Sequence, residues 1–373
     1  MLKKANSRPI SIYMKEFTAR KTYTQAINEA LDLCLKKDKS VFIIGLGVPD
    51  PKGIFGATLG LQKKYGENRV MDMPVSENAL TGVCIGAAIN GMRPVLTHQR
   101  VDFSLLALEQ VINNAAKWHY MFGGQQKVPL VIKMTIGMGW GQGPQHSQNL
   151  QAIYAHIPGL KVVMPSTPYD AKGLMISAIE DNNPVIYIDH RWLHDTFGNV
   201  PNDYYKVPIG KAKVVKKGEG ITIVSTSYMT IESLKAAVLL SKIGINPEIV
   251  DVRTLKSMDE KTIFDSVAKT KRLLVADLGY RELGFAAEVI ARVAENSKIK
   301  LSINPQRITS PDFPAPSSPG LSKYYYPRYT DIASKVVQMV KGDINKLSQL
   351  IKKEEESNKI PYDVPDERFM GPF

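Results

Sequence analysis

The chain has 373 residues, a length that predicts two domains or one large α/β body with a tail. Its hydrophobic share of 44% is that of an ordinary globular protein, and no stretch approaches the roughly 18–20 uninterrupted apolar residues of a spanning helix, so no membrane segment is expected. The net charge of +12 comes from lysines scattered in pairs, with no aromatic-interleaved basic stripe, helix-turn-helix or zinc pattern; this argues against nucleic acid and leaves anionic substrates or an acidic partner.

At the N-terminus two lysines precede no apolar stretch, so no secretory signal is expected. Thr24 is positioned to cap a helix reaching Lys37, and residues 41–45 form an apolar strand ending in glycine. A helix over 76–90 should carry Leu80, Val83, Cys84 and Ala87 on one face. A strand at 93–97, a helix at 103–118 and strands at 129–135, 161–164 and 184–189 follow, with a helix at 169–180. A Pro-, Gly- and polar-rich seam covers 195–215. The alternation then restarts, with strands at 221–225, 248–252 and 272–277 and helices to 243, from 259 and from 282. The domains expected are an N-terminal arm at 1–20, a first domain at 21–200, a linker at 201–215, a second domain at 216–340 and a polar tail at 341–373, lying on a partner or disordered. The strands are near-continuous apolar runs rather than alternating ones, the mark of a parallel sheet covered on both faces, where function sits on loops at the carboxyl ends. Cys34 and Cys84 fall in apolar helical patterns and read as buried free thiols, which fits the cytoplasm.

Two glycine-rich runs follow strands, at 45–56 and 136–148. The first, which includes Gly47, fits neither the Walker pattern nor GxGxxG before a helix, and a tight surface loop is the plain alternative. The second lets backbone approach a ligand and holds Gln145 and His146, although a loop histidine is more often a surface residue than a catalytic one. Glu77 starts a helix in DMPVSENALTG, where an acid also simply suits the helix dipole.

The segments GIFGATLGLQKKYGENRVMDMPVSENALTGVCIGAAINGMRPV, ALEQVINNAAKWHYMFGG, GPQHSQ, IPGLKVVMPSTPYDAKGLMISAIEDNNPVIY and VDVRTLKSMDEKTIFDSVAKTKRLLVAD lie in order along about 310 residues. In these the chain resembles the β subunit of the first component of 2-oxoacid dehydrogenase complexes, the pyruvate and branched-chain enzymes of the transketolase-like superfamily. The resemblance implies an α/β fold: a parallel-sheet pyrimidine-binding domain of transketolase type, followed by a smaller transketolase C-terminal domain. It implies thiamine diphosphate as cofactor, with Glu77 in the SEN segment as the carboxyl group that activates it by a hydrogen bond to the aminopyrimidine, and Gly47 and His98 as further cofactor contacts. His146 would assist acyl transfer to a lipoyl group on a second component, with Gln145 beside it toward substrate. A potassium site is implied at the DNNP turn, at Asp181 and Asn183.

The departures from that family carry information too. The acidic pair expected after the strand glycine is absent from Gly45-Leu46-Gly47-Val48, which puts a proton relay between two active sites in doubt. The aromatic expected on the pyrimidine is His98, an imidazole able to stack and also to act on substrate as a catalytic group, with Arg100 beside it able to face an anionic group, and this points to a changed substrate. The acidic pair expected near the second domain's third strand is Asp277-Leu278. The diphosphate motif beginning Gly-Asp-Gly is missing, and Gly342-Asp343-Ile344 lies in the tail. The chain should therefore need an α-type partner that carries this motif and most of the magnesium site, in a heterotetramer of two α and two β chains, possibly with a lipoyl acyltransferase component. Two other readings stay open: a transketolase-like or carboligase subunit acting on a sugar or hydroxy-ketone, and a degenerate non-catalytic subunit.

Overall fold

The computed structural model describes residues 18–138, 141–357 and 360–369. The lysine-bearing start of the expected arm lies outside them. The first block runs β1 (Thr18–Thr22), α1 (Tyr23–Lys37), β2 (Val41–Ile44), β3 (Val70–Met71), α2 (Glu77–Ile89), β4 (Arg93–Thr97), β5 (Val131–Ile136), β6 (Lys161–Val163), α3 (Pro168–Glu180), β7 (Val185–His190) and β8 (Phe197–Pro201). The second runs β9 (Lys213–Lys216), β10 (Thr222–Ser225), α4 (Ser227–Ser241), β11 (Glu248–Asp251), β12 (Thr254–Lys256), α5 (Glu260–Thr270), β13 (Leu273–Tyr280), α6 (Phe285–Glu295), β14 (Gln306–Ser310), α7 (Tyr329–Val340) and α8 (Ile344–Ser357).

The larger sheet has the order β12-β6-β7-β5-β4-β2-β3, parallel except for β12. Its central strands are buried at nearly every position because both faces are covered, and two polar exceptions, Lys133 and Asp189, pair with each other. Val41, Ile43, Val95, Val131 and Val185 face α1 and α3, while Phe42, Ile44, Leu96, Ile132 and Ile186 face α2 and the 101–121 segment. Side chains alternate along a strand, so two buried faces produce an unbroken apolar run. The smaller sheet, β14-β13-β10-β11-β9, is parallel except for β9.

Several expectations need correction. The cap of α1 is Thr22, in a capping box with Gln25; the Thr24 hydroxyl is buried and donates to His194 O instead. The buried stripe of α2 is Glu77, Thr81, Cys84, Ile85 and Ala88, while Val83 is 59% exposed; an apolar helix has no polar face to reveal which side turns inward. The helix expected at 103–118 is broken, with a wide π turn over Gln110–Ala115, where Asn114 bonds to Glu109 and Gln110 side chains. The seam at 195–215 is more ordered than a linker: it contributes β8, which pairs with β1, and the start of β9. The tail folds back on its own chain. Leu347 is fully buried, Leu350 and Ile351 pack on the core from α8, and Arg328 donates to the carbonyls of Tyr362, Val364 and Pro365. Leu347, Leu350 and Ile351 supply the helical spacing that the charge run after them obscured.

The two sheets are stitched together. β12, from the second block, adds to the first block's sheet beside β6, and the neighbouring Arg253 makes a buried ion pair with Asp170 at 2.8 Å. Asp251 ends β11 next to this pair. Burial first, and the nearby Asp170 second, push its carboxyl up to about 7. An unfolded aspartate ionises near 3.8, so between about pH 4 and 7 only the unfolded chain loses the proton, and stability falls as pH rises through that window. At about 1.4 kcal/mol per unit, the loss is on the order of 4 kcal/mol. Asp251→Asn should therefore gain stability relative to the native chain between pH 5 and 8. Melting temperatures compared at those two pH values check this, and a difference that does not change with pH would refute it.

Candidate functional site

Strands β3, β2, β4 and β5 are neighbours and parallel, so the loops after them meet at one edge of the sheet. Glu77 follows β3, Gly47 follows β2, His98 and Arg100 follow β4, and His146 follows β5. One edge thus collects the residues singled out in both glycine runs and in the SEN and HQR segments.

A cleft of about 660 Å³ opens there. Gly47, Arg100 and His146 line it. Gly47 adopts φ +75°, and a Cβ there would come within 2.9 Å of Asp50 Oδ2 and 3.0 Å of Gln99 Nε2, so only glycine suits this wall. Its N–H donates to Asp72 Oδ1 at 2.9 Å. His146 ends a single short turn, Pro144–His146, is exposed, and meets the Phe103 ring edge-on at 5.2 Å. Gln145 is exposed but does not line the cleft.

Glu77 opens α2 and is only 7% exposed, yet no described residue hydrogen-bonds or ion-pairs with its carboxylate. A nearly buried acid left without a partner is suited to a donor from outside the chain, and a ring nitrogen is such a donor. The residues at this edge therefore fit an aminopyrimidine. Glu77 does not line the cleft itself; it stands on the far side of β2 from Arg100.

His98 is placed differently from the stacking residue expected. It is 3% exposed, its backbone N–H donates to Lys133 O at 2.8 Å, and its Nε2 is enclosed without a partner. Burial pushes its imidazole down to about 4, so it is neutral near pH 7. Asp181 and Asn183 form a turn in which the Asp181 carboxylate accepts from Asn183 N at 2.9 Å and pairs with the Lys161 ammonium. A potassium ion at that carboxylate would compete with Lys161 for the same oxygen. No group of three or more His, Cys, Asp or Glu side chains able to hold a metal occurs among the described residues. Asp277, unexplained from sequence, is a tie between the blocks: it accepts from Gln151 Nε2 at 2.9 Å and Thr226 Oγ1 at 2.8 Å.

Sequence reasoning missed Phe55, Phe103 and Gln142, which shape the cleft. Phe55 sits at φ +50°, with its ring 5.3 Å from the Arg100 guanidinium and 5.0 Å from that of Arg191. The signal available was an aromatic inside a glycine run. Also missed was the polar cluster behind the wall, where Lys133 and Asp189 pair at 2.6 Å and His194 approaches the same carboxylate at 3.3 Å. His190, pushed down to about 3 mainly by burial, stacks on Tyr228 at 5.1 Å. Gly137 leaves room for it, since a Cβ there would fall 2.4 Å from the ring. A lysine in the apolar run VIKMTI and the string DHRWLHD were the clues.

The description "Transketolase, pyrimidine binding domain" matches residues 19–194, and "Transketolase, C-terminal domain" matches 210–332. The β subunit of acetoin:2,6-dichlorophenolindophenol oxidoreductase from Cupriavidus necator is 41% identical over 327 residues, covering 85% of this chain and 96% of that one. The mitochondrial pyruvate dehydrogenase E1 component subunit beta of Bos taurus is 40% identical over 316 residues, covering 83% and 88%. The solved structure titled "Split gene transketolase, inactive beta4 tetramer" superposes with a TM-score of 0.72 at 21% identity, over 86% of this chain and 98% of that one, and so speaks for the fold. With both domains matched in order and such identity over most of its length, the chain belongs to the family of 2-oxoacid dehydrogenase E1 β subunits.

Proposed function

We propose that this chain is the β subunit of a thiamine diphosphate-dependent 2-oxoacid dehydrogenase, acting with an α subunit that carries the diphosphate and magnesium motif. The observation that carries this is the nearly buried, unpaired carboxylate of Glu77 at the sheet edge that also bears the glycine-walled cleft. Thiamine diphosphate, when bound, supplies the nucleophilic carbon that attacks the 2-oxoacid. Glu77 holds a proton at the ring nitrogen of the aminopyrimidine, and Gly47 leaves space for close approach. Arg100 is assigned to the substrate side; Gln145, which does not line the cleft, is not. His98 is assigned to shaping the floor behind the cofactor as a neutral ring.

The need for a partner is supported by exposed apolar side chains around the start of α2: Val75 is 74% exposed, Val83 59% and Leu106 65%. A heterotetramer of two α and two β chains covers such a surface. Cytoplasmic location is part of the proposal, supported by two buried free cysteines whose thiols burial pushes up to about 12. Among the described residues no helix is long and apolar enough to cross a membrane. Potassium at Asp181 and Asn183 is retained only as a site that exchanges with Lys161.

Co-purification with the α partner followed by titration of thiamine diphosphate and magnesium tests the reading. Saturable binding is expected, and no binding would overturn it in favour of a non-catalytic subunit. His146, exposed on the cleft rim, is assigned to acyl transfer to lipoamide as a general acid. His146→Ala should abolish lipoyl acylation while keeping part of the decarboxylation measured with an artificial electron acceptor. Equal loss of both would assign His146 to an earlier step.

A further inference from the structure

Arg100 is a buried cation held by neutral acceptors. The residue is 2% exposed and lines the cleft. Its Nη1 donates to Gly137 O and its Nη2 to Gln142 Oε1, both uncharged acceptors. No carboxylate among the described residues ion-pairs with it. Two act on it without pairing with it: Asp189, which Lys133 and His194 engage, and Asp102, whose Oδ1 accepts from Gln148 while its Oδ2 has no hydrogen-bond partner among the described residues. Arg191, on the same Phe55 ring, repels it. A guanidinium withdrawn from water in this way is costly unless an anion compensates it. Its Nε–H donates to no described residue, so the donor fork that matches a carboxylate or phosphate is only partly used.

Most of the surrounding wall is apolar, with Asp50, Lys52 and His146 as its other charged or titratable members. Ile54, Phe55 and Phe103 line the cleft beside Arg100. A small aliphatic acyl group would satisfy these side chains and leave the guanidinium facing hydrocarbon. An acyl chain with an apolar stem and an anionic end satisfies both. Similarity does not choose between these cases, because an acetoin enzyme and a pyruvate enzyme stand at nearly the same identity, 41% and 40%.

We propose that Arg100 is a specificity-determining residue that binds a second anionic group, carboxylate or phosphate, at the far end of the substrate, so that the enzyme takes a 2-oxoacid with an anionic side chain. This rests on the thiamine enzyme reading for the identity of the reacting group. Binding of the distal anion is tested separately from turnover.

The test uses the full chain assembled with its α partner and loaded with thiamine diphosphate. Three probes are titrated by calorimetry and then assayed for decarboxylation: 2-oxobutanoate with a neutral side chain, 2-oxoglutarate with a carboxylate, and 3-phosphohydroxypyruvate with a phosphate. One of the two dianionic probes should bind at least about 30-fold more tightly than 2-oxobutanoate, and which one does so identifies the anion. Arg100→Gln should erase that preference with thiamine diphosphate binding retained, and Arg100→Lys should restore part of it. Tighter binding of 2-oxobutanoate by the native enzyme would overturn the proposal. So would an equal loss of all three probes in Arg100→Gln, which would place Arg100 on the carboxylate common to every 2-oxoacid, and so would loss of α-subunit assembly, which would place it on a partner carboxylate. Failure of thiamine diphosphate to bind the native complex would defeat the enzyme reading, whereas a dianion preference abolished by Arg100→Gln would still stand in the calorimetry.

Discussion

Glu77→Gln should leave the complex with the α subunit assembled and lower turnover by about 10²–10⁴-fold, the range that general acid–base groups contribute. Glutamine keeps the size and shape of the side chain and its place at the start of α2, so packing against Thr81 and Cys84 is undisturbed. What it loses is the ability to hold and return a proton at the aminopyrimidine nitrogen. Because no described residue bonds to the Glu77 carboxylate, the substitution breaks no ion pair within the chain, and its melting temperature should stay close to that of the native protein. Removing the acid at a helix start costs only a few tenths to about 1 kcal/mol of dipole interaction. Thiamine diphosphate affinity, assembly and steady-state rate measured on the same preparation separate these effects. Near-native turnover would defeat the assignment.

This contrast between site and scaffold explains what could be read from the sequence. The parallel sheet was legible because a strand buried on both faces is apolar along most of its length, as 41–45, the middle of 93–97 and 185–188 are. The edge that gathers Glu77, Gly47, Arg100 and His146 followed from which strands end where. The facing of α2 was only partly legible: Cys84 turns inward and Leu80 and Ala87 pack partly against the core, but Val83 is as apolar as they are and faces out, and only the sheet beneath decides between them. Nor were β1 and β8: their pairing joins residues 18–22 to 197–201, a contact across most of the first block that no local pattern announces. His98 was read as a departure able to stack on the pyrimidine, but its enclosure depends on the backbone of Lys133, 35 positions away. The tail misled because its charge run dominates the composition, while three well-spaced apolar residues dock it.

The second large effect concerns Lys133, which lies inside the apolar run of β5 with an exposure of 1%, paired at 2.6 Å with Asp189 at 0%. Burial alone would raise the Asp189 carboxyl, but Lys133 first and His194 second hold it well below the usual carboxylate range. Lys133→Met leaves that carboxylate buried without its ammonium. The expected cost is about 3–5 kcal/mol, because breaking one side of a buried pair strands the other. His194 cannot replace the lysine, since burial lowers its own pKa and favours the neutral ring. Lys133→Met combined with Asp189→Leu should recover most of the loss, as replacing both partners by apolar groups of similar volume is often nearly neutral. Denaturant unfolding of the two variants reads the difference, and a single variant within about 1 kcal/mol of native would show that the pair is not a closed, dry one. The cleft feels the change through β5 itself. Its carboxyl end leads into Gly137, whose carbonyl orients Arg100, so the single variant should also weaken anionic substrate more than it weakens thiamine diphosphate.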